Sequence, residues 1–216
     1  MKIFLDTSDV DIIRKHCETG LIDGVTTNPT LMMQAGKNPV KVISDISSLF
    51  ESDASISAEV VADSAEEMIT QAEQYYSIND NITIKVPCNY EGLKACRVLS
   101  SKDINVNVTL IFSLNQSILA AKSGATYISP FIGRCEDNDI DGIDLISSIR
   151  KVFNLNNIST NILAASIRNI NHINESFKAG ADIVTIPPKV FEEMYHHDLT
   201  DQGLAQFDKD WKKLNS

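Results

Sequence analysis

Long apolar runs are missing from this chain of 216 residues. Although 43% of its residues are hydrophobic, no stretch approaches the roughly 18 apolar residues of a membrane span, so no membrane partner is expected. Positive charge is scarce: the net charge is −10 and only five residues are arginine. That balance argues against a broad nucleic-acid surface, because phosphate backbones are bound by clustered Lys and Arg. Any phosphate held here must therefore sit in a local basic pocket. Cysteine is sparse as well. Cys17, Cys88, Cys96 and Cys135 show neither a CxxC motif nor zinc spacing, and they read as reduced thiols of a cytoplasmic protein. His16, His172, His196 and His197 form no metal-ligand pattern, and no metal is expected. The opening Met1-Lys2-Ile3-Phe4-Leu5-Asp6 reaches an acid too early for the apolar core of a signal peptide. Nor does any Pro/Gly/Ser-rich linker or composition break divide the chain, so residues 1–216 are expected to form one domain, with 190–216 as its closing and C-terminal helices.

What is present is alternation. Short β-branched runs recur near 2–7, 24–28, 56–60, 82–87, 106–112, 126–132, 161–167 and 182–187, with amphipathic stretches between most of them. Ser64-Ala65-Glu66-Glu67 and Ser113-Leu114-Asn115-Gln116 read as capping boxes that open helices. Gly124 and Gly180 stand where a left-handed residue ends a helix. Eight strand–helix units in about 200 residues predict a closed (β/α)8 barrel of the TIM type, class α/β. A doubly wound open sheet is the structural alternative; it usually needs fewer strands, and the chain lacks a GxGxxG turn.

Lys85 stands out within this pattern. Ile82-Thr83-Ile84-Lys85-Val86-Pro87 otherwise reads as a buried strand. An unpaired ammonium there would be costly and driven toward the neutral amine, a nucleophile able to form a Schiff base with a carbonyl. A snorkelling lysine on an edge strand is the plain alternative. Strand parity adds company for Lys85. Side chains alternate faces along a strand, which groups Phe4 with Asp6, Thr26 with Asn28, Ser57 with Glu59, and Thr83 with Lys85. The same rule groups Asn107 with Thr109, Tyr127 with Ser129 and Phe131, and Ser166 with Arg168. In strand seven, parity sets Leu163, Ala165 and Ile167 on the opposite face, and in strand five Leu110. Alternation alone would also describe a half-solvated antiparallel sheet, but that sheet would not explain the intervening helices. A barrel turns the polar face inward, with functional groups at the C-terminal ends of the strands.

These same segments resemble the small transaldolase family. The likeness is carried by Leu5-Asp6-Thr7, Gly24-Val25-Thr26-Thr27-Asn28-Pro29, Ser57-Ala58-Glu59-Val60, Ile84-Lys85-Val86-Pro87, Asn107-Val108-Thr109-Leu110, Ser129-Pro130-Phe131-Ile132-Gly133-Arg134 and Ala164-Ala165-Ser166-Ile167-Arg168, and it extends to Asp210-Trp211. The resemblance implies a class I aldolase type barrel, without metal or organic cofactor, that transfers a dihydroxyacetone unit between phosphorylated sugars in the pentose phosphate pathway. It assigns Lys85 to the Schiff base and Asp6 to proton transfer at the C4 hydroxyl. Glu59 with Thr109 would shuttle protons through a water. Asn28, Thr26, Asn107, Ser129 and Phe131 would surround the three-carbon fragment, with Asn28 equally suited to forming the turn before Pro29. Arg134, Ser166 and Arg168 would bind the phosphate, with surface ion pairing to Asp137 or another acid as the alternative for the arginines.

A related group, similar to fructose-6-phosphate aldolase, carries Gln and Tyr where this chain has Glu59 and Phe131, so the present pair points to transfer rather than release of free dihydroxyacetone. Cys88-Asn89-Tyr90 departs from the family pattern. Cys135, beside Arg134, raises an expectation of sensitivity to oxidation. Leu204, Phe207 and Trp211 form an apolar stripe whose default is to fold back on its own barrel. The resemblance instead implies a homo-oligomer, pentamer or decamer, with this helix reaching a neighbour. A barrel that only binds sugar phosphates is the non-enzymatic alternative; it predicts a broken set of site residues, and here the set is complete.

Overall fold

The computed structural model describes residues 1–51 and 53–215. Its first half runs β1 (Lys2–Asp6), α1 (Val10–Cys17), β2 (Gly24–Thr26), α2 (Pro29–Ala35), α3 (Pro39–Ser47), β3 (Ser55–Glu59), α4 (Ala65–Tyr76), β4 (Ile82–Pro87) and α5 (Tyr90–Ser100). The second half continues with β5 (Val106–Ile111), α6 (Leu114–Lys122), β6 (Tyr127–Pro130), α7 (Ile132–Glu136), α8 (Gly142–Leu155), β7 (Asn161–Ala164), α9 (Ile170–Lys178), β8 (Ile183–Ile186), α10 (Pro188–Glu193) and α11 (Asp198–Leu214). The strands pair in parallel in sequence order, and β8 closes onto β1 from Lys2 opposite Ile183 to Leu5 opposite Ile186. The expected (β/α)8 barrel is the fold.

Local chemistry sets the ends of the helices. Ser64 caps α4 by accepting the Glu67 N–H at 3.3 Å, and Ser113 caps α6 by accepting the Gln116 N–H at 3.3 Å. In the second case the Gln116 amide oxygen reaches back to the Phe112 N–H at 2.9 Å, one residue earlier than a reciprocal capping box requires. After α6 and α9 the chain turns through Gly124 and Gly180, with φ of 94° and 101°, where a side chain would be strained.

Apolar residues form two cores. The outer one lies between sheet and helices and includes Leu5, Val25, Ile56, Ile84, Val108 and Ile128. Inside the barrel, Phe4, Leu163, Ala165 and Ile183 pack with Tyr127 and Phe131 into an apolar plug. Phe4 fits because β2 presents Gly24 beside it; a Cβ at Gly24 would lie 2.9 Å from the Phe4 ring. The polar site rests above this plug.

Two strands depart from the faces that parity assigns. In β7, Leu163 and Ala165 point into the barrel while Ile162 and Ala164 pack outward. Ser166 therefore does not arrive by alternation: β7 has ended, and Ser166 adopts φ +58°. In β5 the pairing slips between Val108 and Ile111, and Leu110, at φ +62°, turns toward the interior. An extra residue in one strand is a bulge, a device found beside functional sites.

The C-terminal stripe does not fold back. No residue of α11 is buried, and Leu204, Phe207 and Trp211 are 60%, 72% and 67% exposed. Among the described residues, no helix is long and apolar enough to cross a membrane.

Gly92 sits where α5 meets the end of β4. Its N–H is bound by Asn89 Oδ1 at 2.7 Å, and a Cβ there would collide with the Pro87 carbonyl oxygen, two residues beyond Lys85. Gly92→Ala is expected to destabilise the fold by about 1–3 kcal/mol, the usual cost of overpacking. Urea unfolding checks this; an unchanged midpoint would refute the close contact.

Candidate active site

Strand register brings the charges together. Glu59 of β3 and Lys85 of β4 are direct cross-strand partners, as are Lys85 and Asn107 of β5. Lys85 Nζ lies 2.9 Å from Glu59 Oε2 and donates to the Thr27 carbonyl at 3.2 Å. The lysine side chain is only 6% exposed and the glutamate 15%. The ammonium pictured from sequence as unpaired thus has a carboxylate partner, and it lies inside the barrel rather than on an edge strand. Thr27 is itself held, its hydroxyl donating to the Ser57 carbonyl at 2.8 Å.

Across the interior stands Asp6, at the C-terminal end of β1. Thr26 Oγ1 donates to Asp6 Oδ1 at 2.8 Å and lies 2.6 Å from Thr185 Oγ1. With Thr26 donating to Asp6, Thr185 must donate to Thr26, so two hydroxyls line up on one carboxylate oxygen. Burial pushes the Asp6 carboxyl above its ordinary value, and the Lys85 charge and the Thr26 hydrogen bond offset this only in part. A raised carboxyl suits a group that must both take and return a proton.

Between them the walls are amide and hydroxyl. Ser129 Oγ donates to Asn107 Oδ1 at 2.8 Å, while Asn107 Nδ2, Thr109 Oγ1 and Ser57 Oγ are buried with no hydrogen-bond partner among the described residues. Such groups are costly unless something polar meets them. Asn28 accepts the Leu31 N–H with Oδ1 at 3.0 Å and so caps α2, which leaves its Nδ2 free of the cap.

The expected residues Asp6, Thr26, Asn28, Glu59, Lys85, Thr109, Ser129, Phe131, Arg134 and Ser166 all line one cavity of about 410 Å³. Asn107, expected beside them, is not in the lining: it is fully buried and accepts the hydrogen bond of the lining residue Ser129. Thr185, Leu110 and Ala165 also line it and were missed from sequence. Thr185 was legible, since it follows Ile183 by two residues in β8; Leu110 was hidden by the bulge.

At the rim the two arginines differ. Arg134 places its guanidinium carbon 5.0 Å from the Phe131 ring centroid, a cation–π contact, and no carboxylate among the described residues lies within ion-pair distance of it. Arg168 is not part of the cavity lining. Its guanidinium forks onto both carboxylate oxygens of Asp137, with Nη1 2.5 Å from Oδ1 and Nη2 bonded to Oδ2. The surface pairing held open as an alternative is the arrangement found for Arg168.

The cysteine expectation is also corrected. Cys135 is fully buried and its thiol is pushed up by that burial, with Glu136 adding to the effect. Cys88 is likewise raised, to about 11, by burial and by Cys96. Thiols held protonated in this way react slowly with oxidants.

A family model described as Transaldolase/Fructose-6-phosphate aldolase matches residues 3–216. Among curated proteins, one named probable transaldolase from Paracoccus denitrificans is 50% identical over 213 residues, covering 99% of this chain and 97% of that protein. Another of the same name from Chelativorans sp. is 50% identical over 213 residues, with the same coverage. A third, from Symbiobacterium thermophilum, is 48% identical over 212 residues, covering 98% of this chain and 97% of its own length.

The fold favours the protonated form of Asp6. That contribution is complete below the ordinary 3.8 and is lost as the pH rises through the higher folded value. Asp6→Asn should therefore unfold at a higher temperature than the wild type at pH 7, with the gain shrinking as the pH approaches 4. Paired thermal melts at the two pH values test this, and a lower midpoint for the variant at pH 7 would contradict it.

Proposed function

The chain belongs to the transaldolase/fructose-6-phosphate aldolase family, and from that premise we propose that it is a transaldolase. In this reading it moves a dihydroxyacetone unit from a ketose phosphate, sedoheptulose 7-phosphate or fructose 6-phosphate, to an aldose phosphate. The observation that carries it is the buried Lys85 amine, 2.9 Å from Glu59 and facing the same cavity as Asp6.

Lys85 gives up a proton to Glu59 and attacks the C2 carbonyl, forming a carbinolamine. Glu59 then returns a proton, through a water held with Thr109, to the hydroxyl that leaves as water. The iminium draws electrons from the C3–C4 bond while Asp6 takes the C4 hydroxyl proton. An aldose phosphate departs and an enamine remains on Lys85. Attack of that enamine on the acceptor aldehyde, with Asp6 protonating the new alkoxide, reverses the sequence. Thr26 and Thr185 orient Asp6. Asn28 and Asn107 offer amide donors to the fragment's oxygens, supported by the unpartnered Asn107 Nδ2, while Ser129, whose proton goes to Asn107 Oδ1, offers an acceptor to a substrate hydroxyl. Arg134 and Ser166 take the phosphate. The Lys85 iminium is itself the electron sink for breaking the C3–C4 bond, so the chemistry calls for no metal or organic cofactor.

Transfer rather than aldol release rests on Glu59 and Phe131. Phe131 packs against Phe112, with ring centroids 5.9 Å apart, and has no hydroxyl with which to protonate the enamine. The enamine then waits for an acceptor. We place the enzyme in the cytoplasm and the pentose phosphate pathway, as a one-domain subunit of a pentamer or decamer. The exposed apolar stripe of α11 supports self-assembly.

Two tests follow. With fructose 6-phosphate, release of glyceraldehyde 3-phosphate should depend strongly on added erythrose 4-phosphate, and borohydride should trap an adduct on Lys85. Asp6→Asn should lose about 10²–10⁴-fold in kcat, the usual scale of general acid–base catalysis. Equal release with and without acceptor would make the protein an aldolase; silence with no adduct would make it a binding protein. Sedimentation should show an assembly that Trp211→Glu dissociates, and a wild-type monomer of about 24 kDa at micromolar concentration would refute self-assembly.

A further inference from the structure

The structure assigns Asp137 a part in choosing ligands: its carboxylate fills the guanidinium fork of Arg168 and yields that fork only to a phosphate dianion. This inference rests on the reading of the cavity as a sugar-phosphate site.

Arg168 is built to stay beside the phosphate end of the cavity. Its stem crosses Gly133, where a Cβ would lie 2.6 Å from Nε. Backbone hydrogen bonds tie α7 to the segment after β7, from Ile132 N–H to the Ala165 carbonyl at 2.9 Å and from Gly133 N–H to the Ser166 carbonyl at 3.1 Å. His172 adds a further tie. Its Nδ1 accepts the Arg168 N–H at 3.4 Å, and its Nε2 faces Glu136 Oε2 at 3.0 Å. With the main chain held on both sides, any exchange of partners is a rotation of the Arg168 and Asp137 side chains.

Both of those side chains are about half exposed. Asp137 can therefore return to water at little cost, and an exposed ion pair is weak. A phosphate monoester carries close to two charges at pH 7 and three acceptor oxygens. It can engage Arg134, Ser166 and Arg168 together. A carboxylate brings one charge and two oxygens, which is what Asp137 already provides, so a monoanion gains nothing by displacing it. Arg134, which has no carboxylate at ion-pair distance among the described residues and feels Asp137 only from farther off, makes first contact; Arg168 then adds its fork only for the ligand able to compete.

Inorganic phosphate and acetate are the probes, titrated by calorimetry into the wild type, Asp137→Asn, Arg168→Gln and the double variant. Asp137→Asn should bind phosphate about fivefold more tightly, the weight of one exposed ion pair, and should lose part of the preference for phosphate over acetate. In the Arg168→Gln background the same substitution should change phosphate affinity far less. Unchanged or weaker phosphate binding by Asp137→Asn would overturn the inference. An equal gain without Arg168 would do so as well, because the effect would then be general charge. Borohydride trapping with fructose 6-phosphate on the wild type separates the two readings. An adduct alongside an inert Asp137→Asn sinks only the role of Asp137; no adduct, with phosphate tightened through Arg168, sinks only the Schiff-base chemistry.

Discussion

A lysine and a glutamate share the inside of a barrel, and most of what is distinctive about this structure follows from keeping them there. Two charges removed from water cost several kcal/mol each unless their geometry and remaining hydrogen bonds are good. Parallel register supplies the geometry by setting Glu59 opposite Lys85. The Thr27 carbonyl supplies a second acceptor for the ammonium. Beneath them Phe4, Leu163 and Ile183 seal the barrel, so the pair faces only the C-terminal mouth. Stability comes from elsewhere, chiefly the apolar layer between strands and helices. The interior can then be given over to groups that would be unfavourable in an ordinary core.

The cavity holds two acids in different surroundings. Glu59 is matched to a cation at 2.9 Å. Asp6 accepts one hydroxyl hydrogen bond, from Thr26, and burial outweighs the more distant pull of Lys85. Separation of two carboxyls by environment is a common way to give one fold two proton-transfer roles. In the proposed reaction it divides labour sensibly. Glu59 serves the nitrogen, where a proton must leave before attack and return for dehydration. Asp6 serves the C4 oxygen, where a proton leaves on cleavage and returns on addition. Thr185, which holds Thr26 against Asp6, belongs to that second role.

The barrel was legible from sequence because its signals are local and repeated: β-branched runs, capping serines, and glycines at helix exits. Parity placed Asp6, Glu59, Lys85 and Thr109 correctly because β1, β3, β4 and the first part of β5 are regular. It failed where the backbone leaves regularity. Leu110 and Ser166 both have positive φ, a conformation that costs a non-glycine residue of order 1–3 kcal/mol and that no alternation rule encodes. Pairing between side chains was illegible for a different reason. Glu59 meets Lys85 through inter-strand register, and Arg168 meets Asp137 across 31 residues of sequence. Neither distance is a property of either segment alone. The exposed stripe of α11 shows the remaining limit, since periodicity reveals an apolar face but not what covers it.

Strain at Ser166 and the glycine at 133 concern the same few ångströms. Because Ser166 turns left-handed, its hydroxyl-bearing side chain reaches the cavity while its carbonyl accepts the Gly133 N–H. Because residue 133 lacks a side chain, Arg168 can lie over α7. An ordinary extended residue at 166, or any side chain at 133, would separate the arginine from the serine and leave two unrelated surface groups. The arginine end of the site thus depends on backbone geometry more than on charge, in contrast to the lysine end, where charge placement by register dominates. Under the proposed function, a barrel of this kind holds its reacting centre constant through strand pairing, while the far end of the ligand would meet a surface set by one left-handed turn and by the partner of a single guanidinium.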